Sequence, residues 1–485
     1  MNSLLIWPVA LPLAGGLLAL LMPRWANRIG LSITAASLMT VMLVVERVAS
    51  QGGMELALGG WDPGLGIALR ADGLSTALLL MSALVELAVG IYASRYFSEP
   101  RRGVDFWPLW LMLVAALHAL FLSGDLFNLY VTLELLGLAA VILAALGGGR
   151  DALQAALRYL TVGLLGSMAF LAGITLLYST YGTLDMAALG NIIAPRPSTW
   201  VALTLMSAGL LIKSALFPMH FWLPVTHANA PAPVSAALSA LVVKAAFYLL
   251  LRLWLDLFSD VVTPSSAWFV GLLGAGAVLW GSWQALQAKR LKLLAAYSTV
   301  AQIGYLFLFL PLVSAVPTGS DREILLGALA LLALTHGFAK SAFFLAAGII
   351  QQQAGHDRIA ELGGTARTLP VTTFVLALSG IALIGLPPSG SFLAKWHLIS
   401  FSVSLGQWLW LPVVAAGTLM SATYTFRLLG QAFTQGEGVG PALIAGRQEL
   451  PAFLLALVAT VAFGFGASYI WEFIAMTPEI SGELR

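Results

Sequence analysis

The chain has 485 residues, of which 59% are hydrophobic and only 9% are charged, and its formal net charge is +2. Soluble domains carry about 25% charged residues, so this composition excludes a soluble protein and predicts an all-α polytopic membrane protein embedded in a lipid bilayer. The near-neutral balance gives no indication of nucleic acid as a partner. The chain has no cysteine, which excludes disulfides, iron–sulfur clusters and thiolate metal sites.

Fourteen segments are candidates for membrane spans, because a spanning helix needs about 20 mostly apolar residues. The first segment lacks a basic start and a small-residue cleavage site, so we interpret it as a membrane helix and not as a cleaved signal. We treat the whole chain, 1–485, as one membrane domain. The predicted spans are 3–22, 29–49, 73–94, 106–123, 126–147, 154–179, 199–221, 232–256, 266–286, 293–314, 324–350, 370–400, 406–430 and 450–475.

The loops predict an orientation and one small hairpin. With the N-terminus outside, fourteen Lys and Arg residues fall on the cytoplasmic side and six on the outer side. This bias predicts a multi-pass protein of the cell (inner) membrane with both termini on the outer side. The count assigns Lys292 to a cytoplasmic loop and Arg252 to an outer one. Between Gln51 and Asp72, alternating polarity and Gly-Pro punctuation predict a hairpin at the interface.

Charged side chains inside the predicted spans are the main functional candidates, because a charge at the bilayer centre costs about 2.5–3.5 kcal/mol. They could be snorkelling ends or packing pairs, but one acid cannot neutralise four lysines. A buried lysine can lose its proton, whereas arginine is effectively locked in its charged form. The pattern therefore predicts a proton relay. Its residues are Glu134, Lys213, Lys244, His336, Lys340 and Lys395.

A proline interrupts the seventh predicted span beside one of these lysines. Pro218 cannot donate a hydrogen bond to the carbonyl of Ser214, the residue after Lys213, and its ring disfavours a regular helix. A carbonyl freed in lipid must be satisfied by protein or by water in a cavity. We therefore predict a broken helix at Lys213.

The twelfth predicted span contains a second break. Pro387 and Pro388 free the carbonyls of Leu383 and Ile384 upstream of Lys395. Prolines are common in membrane helices, but a double proline followed by Ser-Gly-Ser is harder to explain by frequency alone.

Broken helices at matching places in two halves of a chain indicate inverted repeats around a midplane ion site. The seventh and twelfth spans are five apart. We therefore predict a first inverted repeat at 106–256, with helices 4–8, and a second at 266–430, with helices 9–13.

Four other titratable residues are weaker candidates for proton uptake or release: His220, His227, Glu86 and His397. Glu86 has no partner that the sequence can identify, and it is either functional or an interface contact. His118 stands alone on an apolar helix, where we expect it to pack with a satisfied hydrogen bond. The His and acidic residues are scattered, so we expect neither a metal nor a cofactor in this chain.

The motifs around these residues, taken together, resemble the signature of the proton-translocating antiporter-type membrane subunits. That family includes the large membrane-arm subunits of respiratory complex I and the large subunits of Mrp sodium/proton antiporters. The matching stretches are "NLYVTLELL", "FPMHFWLPVTHANAPAPVSAALSALVVKAAFYLLLR", "HGFAKSAFFLAAG" and "GLPPSGSFLAKW". The stretch "GGWDPGLGIALRADGLS", "PAPVSA" and Lys395 are most similar to the D subunits of Mrp sodium/proton antiporters.

The resemblance implies a role for each candidate. Glu134 would pair with Lys213, and Lys244 would relay the proton onward to a central His336–Lys340 element. Lys395 would be the terminal donor or acceptor. The stretch "PVTHANAP" stands where family members more commonly have a loop that contains an acidic residue. His227 could take the place of that residue.

The hypothesis is a proton-conducting subunit of a multisubunit Na⁺/H⁺ antiporter that has other membrane subunits as partners. One alternative is an antiporter-like subunit of a redox-driven proton pump, such as complex I or a membrane-bound hydrogenase, whose redox cofactors lie in partner chains. A scaffold that assembles the complex without transporting ions is the alternative from another class. Intact charges on five helices argue against the scaffold.

Overall fold

The computed structural model describes residues 2–60, 66–97, 100–316, 319–436, 438 and 445–477. Within this part of the chain, eleven helices are long and apolar enough to cross a membrane. The remaining predicted spans correspond to two helices that are each split in two and to one helix of 24 residues, Trp410–Phe433. The protein is therefore a multi-pass helical membrane protein, and the count of fourteen spans stays a prediction.

The first half of the chain is helical apart from one hairpin. Its helices are α1 (Trp7–Leu21), α2 (Ala26–Gln51), α3 (Gly73–Tyr96), α4 (Pro100–Leu122), α5 (Leu126–Ala145), α6 (Gly149–Tyr181), α7 (Met186–Ile192), α8 (Pro197–Lys213), α9 (Trp222–Asn229), α10 (Ala232–Ala237) and α11 (Val243–Arg252). Two π-helical turns, Leu238–Val242 and Leu253–Leu257, join and extend α10 and α11 into one span.

The second half of the chain also consists mainly of long helices, and one of its predicted spans is split into two shorter helices. Its helices are α12 (Pro264–Gln287), α13 (Leu291–Ala315), α14 (Ser320–Ala354), α15 (Thr365–Thr368), α16 (Pro370–Ile384), α17 (Gly390–Ser404), α18 (Trp410–Phe433), α19 (Ala445–Leu457), α20 (Phe463–Phe465) and α21 (Ala467–Ala475).

The predicted hairpin is present. Strand β1 (Met54–Ala57) pairs antiparallel with β2 (Ala68–Ala71), with Met54 opposite Ala71. The intervening residues 61–65, which belong to the "GGWDPGLGIALRADGLS" motif, lie outside the described part of the chain.

The continuous span of α10 and α11, together with α13 and α14, forms the centre of the bundle. The most apolar window of the α10–α11 span is fully buried, and those of α13 and α14 are 89% and 94% buried. A helix that is apolar all round is normally enclosed by others or by lipid. Polar side chains on these central helices are therefore shielded from lipid by protein.

Arg252 anchors a buried ion-pair network. It lies in α11 and is 7% exposed, so its assignment to an outer loop is wrong. Its Nη2 atom lies 2.7 Å from Asp72 Oδ2, and its Nε atom lies 3.0 Å from Asp256 Oδ2. Asp72 also begins α3, where its carboxylate accepts from the Ser75 backbone N–H at 2.9 Å.

Asp72→Asn is expected to destabilise the fold by about 3–5 kcal/mol, because it leaves a buried arginine partly unpaired. Burial disfavours the Asp72 carboxylate, but Arg252, Arg70 and the Ser75 hydrogen bonds outweigh burial and hold the pKa of Asp72 below its ordinary value. A lowered folded-state pKa gives stability at neutral pH that is lost as pH falls below about 4. Unfolding in detergent at pH 7 and at low pH measures both effects.

Glu55→Gln is the matched control. Glu55 Oε1 lies 3.7 Å from Arg70 Nε, and its side chain is 74% exposed, so its removal is expected to change stability little. Equal stability of wild type and Asp72→Asn at neutral pH would contradict this account of the network.

Candidate functional site

Glu134 and Lys213 form an ion pair between α5 and α8. Lys213 Nζ lies 3.2 Å from Glu134 Oε1, and the two side chains are only 10% and 20% exposed. Ser167 of α6 donates a hydrogen bond to the same glutamate oxygen. The pair lines a crevice that also touches Val242 and Ala246, which flank Lys244 in the sequence. An acid and a base therefore meet, largely buried, in a crevice beside the helix that carries the next lysine.

Small residues bring α6 close to α8. Gly166 and Gly209 face one another, and a Cβ added to either would overlap or crowd the carbonyl oxygen of the other. Transmembrane helices commonly approach through such small residues. The approach places Ser167, which follows Gly166, against the ion pair.

The predicted break after Lys213 is present. Helix α8 ends at Lys213, and Ala215 adopts a left-handed conformation with φ +55°. The Ile212 carbonyl accepts hydrogen bonds from the Ala215 N–H and from Trp222 Nε1, both at 3.1 Å. The ammonium group of Lys213 thus lies at the C-terminus of α8, where the helix dipole favours a cation.

Lys244 lies just after a π-helical turn. Its Nζ atom donates to the Ser239 carbonyl at 3.0 Å, and the Ser239 hydroxyl lies 2.7 Å from the Thr299 hydroxyl of α13. π-helical turns frequently occur at functional sites. Here the turn aligns the lysine with polar groups on the neighbouring helix.

His336 and Lys340 lie one turn apart on α14, as their spacing predicts, and both are buried. Lys340 Nζ donates to the Ala295 carbonyl at 2.9 Å and to the Ser298 hydroxyl. Lys340 and His336 are each close enough to Lys244 for electrostatic interaction. Three predicted residues from two helices therefore form one cluster.

His227 also belongs to this cluster, because it interacts electrostatically with Lys340 and with Lys292. The sequence did not identify Lys292 as a candidate. Lys292 was assigned to a cytoplasmic loop, but it is 2% exposed at the start of α13, and its Nζ atom donates to the Ala230 carbonyl. Its position close behind Lys289 and Arg290 gave no signal that separates it from loop residues.

Lys395 lies in α17, and its side chain reaches back to the second break, between α16 and α17. Its Nζ atom donates to the Ile384 carbonyl at 2.9 Å and to Thr418 Oγ1 at 3.3 Å. The Leu383 carbonyl accepts from Gln302 Nε2 at 2.7 Å. Both carbonyls that the double proline was predicted to free are thus satisfied by side chains.

The other candidates lie apart from this cluster. Glu86 Oε2 lies 2.9 Å from His118 Nε2, and Ser82 donates to Glu86 Oε1 at 2.5 Å. His118 therefore packs with a satisfied hydrogen bond, and its partner is the acid that seemed unpaired. His220 stacks against Phe217, whereas His397 lies beside aromatic rings of α17 and α21.

Three of the predicted relay lysines lie without an acidic partner in the described part of the chain. Among the described residues, no carboxylate lies within ion-pair distance of Lys244, Lys340 or Lys395. Both ring nitrogens of His227 and of His336 are buried and have no hydrogen-bond partner in the described part of the chain. Buried polar atoms normally have partners, often water. Across the described ranges, no group of three or more His, Cys, Asp or Glu could hold a metal.

These features define a class: a multi-pass membrane protein whose described part contains two broken helices, an acid–base pair beside the first break and several buried lysines. The chain belongs to the family described as NADH:quinone oxidoreductase/Mrp antiporter, TM, whose model matches residues 123–421. The resemblance drawn from the sequence motifs is thereby confirmed.

Relatives in this family include subunits of oxidoreductases and subunits of cation/proton antiporters. NADH-quinone oxidoreductase subunit N of Desulforudis audaxviator is 35% identical over 421 residues, covering 84% of this chain and 82% of the relative. The Na(+)/H(+) antiporter D subunit of Bacillus subtilis is 28% identical over 488 residues, covering 99% and 97%. A chain of the Mrp complex from Dietzia sp. DQ12-45-1b has the same fold, with a TM-score of 0.88, 24% identity, and coverage of 99% and 98%.

Proposed function

We propose that this chain is the proton-conducting subunit of a multisubunit cation/proton antiporter of the Mrp type, which exchanges Na⁺ for H⁺. The observation that carries the proposal is the buried Glu134–Lys213 contact at a broken helix, beside lysines that have no acidic partner. A positive charge is stable there only while a carboxylate or hydrogen-bond acceptors compensate it; otherwise its proton passes to a basic neighbour. Such groups take up and release protons when their partners move.

Opening and closing of the Glu134–Lys213 pair would drive proton transfer from Lys213 to the next buried lysines. When the pair opens, Lys213 loses its compensating charge and releases a proton toward Lys244. The proton then passes through the His336–Lys340 cluster to Lys395. Ser167, which shares Glu134 with Lys213, is placed to hold the glutamate when the lysine leaves.

Other membrane subunits are the proposed partners, and the chain would lie in the cell membrane with both termini outside. Relatives named as single subunits of larger complexes support the first point. The excess of Lys and Arg in the predicted cytoplasmic loops supports the proposed orientation, even without the buried Lys292 and Arg252.

The two inverted repeats, 106–256 and 266–430, remain part of the proposal. One broken helix lies in each of them.

A subunit of a redox-driven pump is the second candidate, because the relative with 35% identity is an oxidoreductase subunit N. The similarity to the antiporter relative from Bacillus subtilis extends over 99% of this chain, against 84% for the oxidoreductase relative. This full-length match favours the antiporter.

Copurification and transport together test the proposed function. The tagged chain is expected to bring down small antiporter subunits, and Na⁺ added to everted vesicles is expected to collapse an imposed pH gradient. Hydrogenase or quinone-module subunits in the purified complex, with a gradient that depends on electron transfer, would instead establish the redox pump. A pH gradient insensitive to both Na⁺ and redox substrates would contradict both functions.

A further inference from the structure

A cavity of about 280 Å³ lies on the hairpin side of the protein, which is the proposed outer side. Strands β1 and β2 contribute Glu55 and Arg70 to its wall, and α11 contributes Tyr248 and Arg252. The Glu55 side chain is 74% exposed, whereas Tyr248 is only 4% exposed. The cavity therefore leads from the outer solution to buried residues of α11.

A polar stripe on α11 continues from this cavity inward to Lys244. Lys244, Tyr248 and Arg252 are spaced by four residues, so they lie on one face of the helix. Lys244 is buried, and its Nζ atom donates to the Ser239 carbonyl, toward the start of the span and away from Arg252. Eight residues of helix, about 12 Å, separate Lys244 from Arg252. Tyr248 and Arg252 therefore stand between Lys244 and the outer solution.

Carboxylates fix Arg252 in this position. Its Nη2 atom lies 2.7 Å from Asp72 Oδ2, and its Nε atom lies 3.0 Å from Asp256 Oδ2. Arg70 Nε lies 3.9 Å from the same Asp72 oxygen. Asp72 begins α3, and Asp256 lies in the π-helical turn after α11. The guanidinium of Arg252 thus ties the start of α3 to the end of α11.

Tyr248 is held one turn further in. Its hydroxyl donates to the Phe121 carbonyl of α4 at 3.3 Å. Its ring packs edge-on against the Phe121 ring, with centroids 5.3 Å apart, and both rings are buried. The hydroxyl proton of Tyr248 is therefore bound by α4, and passing it along the stripe requires this hydrogen bond to break.

We propose that Asp72, Arg252 and Asp256, named here the outer seal, keep Lys244 from exchanging protons with the outer solution. The inference rests on the proposed proton-conducting function and adds a barrier that gives the conduction a direction. Arginine does not release its proton in proteins, so Arg252 fills a polar position without passing a proton on. A fixed arginine likewise excludes protons and cations from the pores of some channels.

Arg252→Lys tests the outer seal in the assembled complex. Lysine keeps the positive charge and can still pair with Asp72, but it can lose its proton. Without Na⁺, the variant is expected to leak protons at least about tenfold faster than wild type, since a positioned proton-transfer group contributes more than this factor. The measurement is the decay of an imposed pH gradient in proteoliposomes, per assembled complex, with the membrane potential clamped by K⁺ and valinomycin.

Two further variants separate a leak through Lys244 from a general loosening of the helices. Lys244→Met in the Arg252→Lys background is expected to abolish the leak, because it removes the proton acceptor at the inner end of the stripe. Arg196→Lys makes the same substitution on an exposed arginine of the proposed outer side and is expected to leak at the wild-type rate. If Arg252→Lys fails to assemble, Arg252→His replaces it, because imidazole also releases its proton near neutral pH.

Thiol labelling tests the cavity separately. The chain has no cysteine, so Ser123→Cys places a single thiol in the cavity wall of the tagged chain. A membrane-impermeant thiol reagent added on the proposed outer side is expected to label it. Absence of labelling would mean that the cavity is closed to that side, and it would overturn the route on which the outer seal depends.

The outcomes distinguish the outer seal from the function on which it rests. A wild-type leak rate in Arg252→Lys, with Na⁺-driven exchange present in the wild type, would overturn the seal and leave the proposed function standing. A fast leak that persists in Arg252→Lys/Lys244→Met would assign the network to packing and also overturn the seal. Absence of Na⁺-driven exchange in the wild-type complex would overturn the proposed function instead, since the leak is measured without Na⁺.

Discussion

Lys213→Ala and Glu134→Ala are each expected to abolish Na⁺-driven proton exchange while the complex still assembles. The two side chains contact each other directly at 3.2 Å, so either substitution removes the acid–base pair. The expected loss is at least about a hundredfold, the scale of a positioned proton-transfer group. Flux per assembled complex in everted vesicles, with the complex quantified by the tag, measures it.

The double variant Glu134→Ala/Lys213→Ala sharpens this test. Each single variant leaves one charge buried without its partner, whereas the double variant leaves none, so the thermal stability lost in the single variants should recover. Transport should not recover, because no group remains to take up the proton. Recovery of both stability and flux would reduce the pair to a packing contact and contradict its proposed role.

The sequence predicted those parts of the site that depend on local chemistry. A proline has no N–H, so the carbonyl four residues earlier loses its helical partner in any fold. Leu383 and Ile384 were identified in this way, and Gln302 and Lys395 are their partners. The four-residue spacing of His336 and Lys340 likewise placed both on one helix face.

Partners that are distant in sequence could not be predicted. Arg252 and Lys292 follow apolar or basic stretches that resemble the edge of a loop, yet Arg252 meets Asp72, and Lys292 interacts with Asp357 and His227. Glu86 seemed unpaired because its partner comes from another helix.

Lys340→Arg is expected to stop proton exchange as completely as Lys340→Ala, by at least about a hundredfold. Arginine keeps the positive charge and the hydrogen-bond donors, but it does not release its proton in proteins. Lys340 is fully buried and is close to both Lys244 and His336. A fixed charge there would block the proton's path through the cluster.

Lys289→Arg is the matched control, because the same substitution on an exposed lysine before α13 should leave the flux unchanged. Assembly of the Lys340→Arg complex is checked by the tag, since the larger guanidinium must fit beside Ala295 and Ser298. Retention of flux by Lys340→Arg, with loss in Lys340→Ala, would mean that Lys340 serves only as a fixed charge. A relay requires the opposite pattern, because only a group that gives up its proton can pass one on to the next residue.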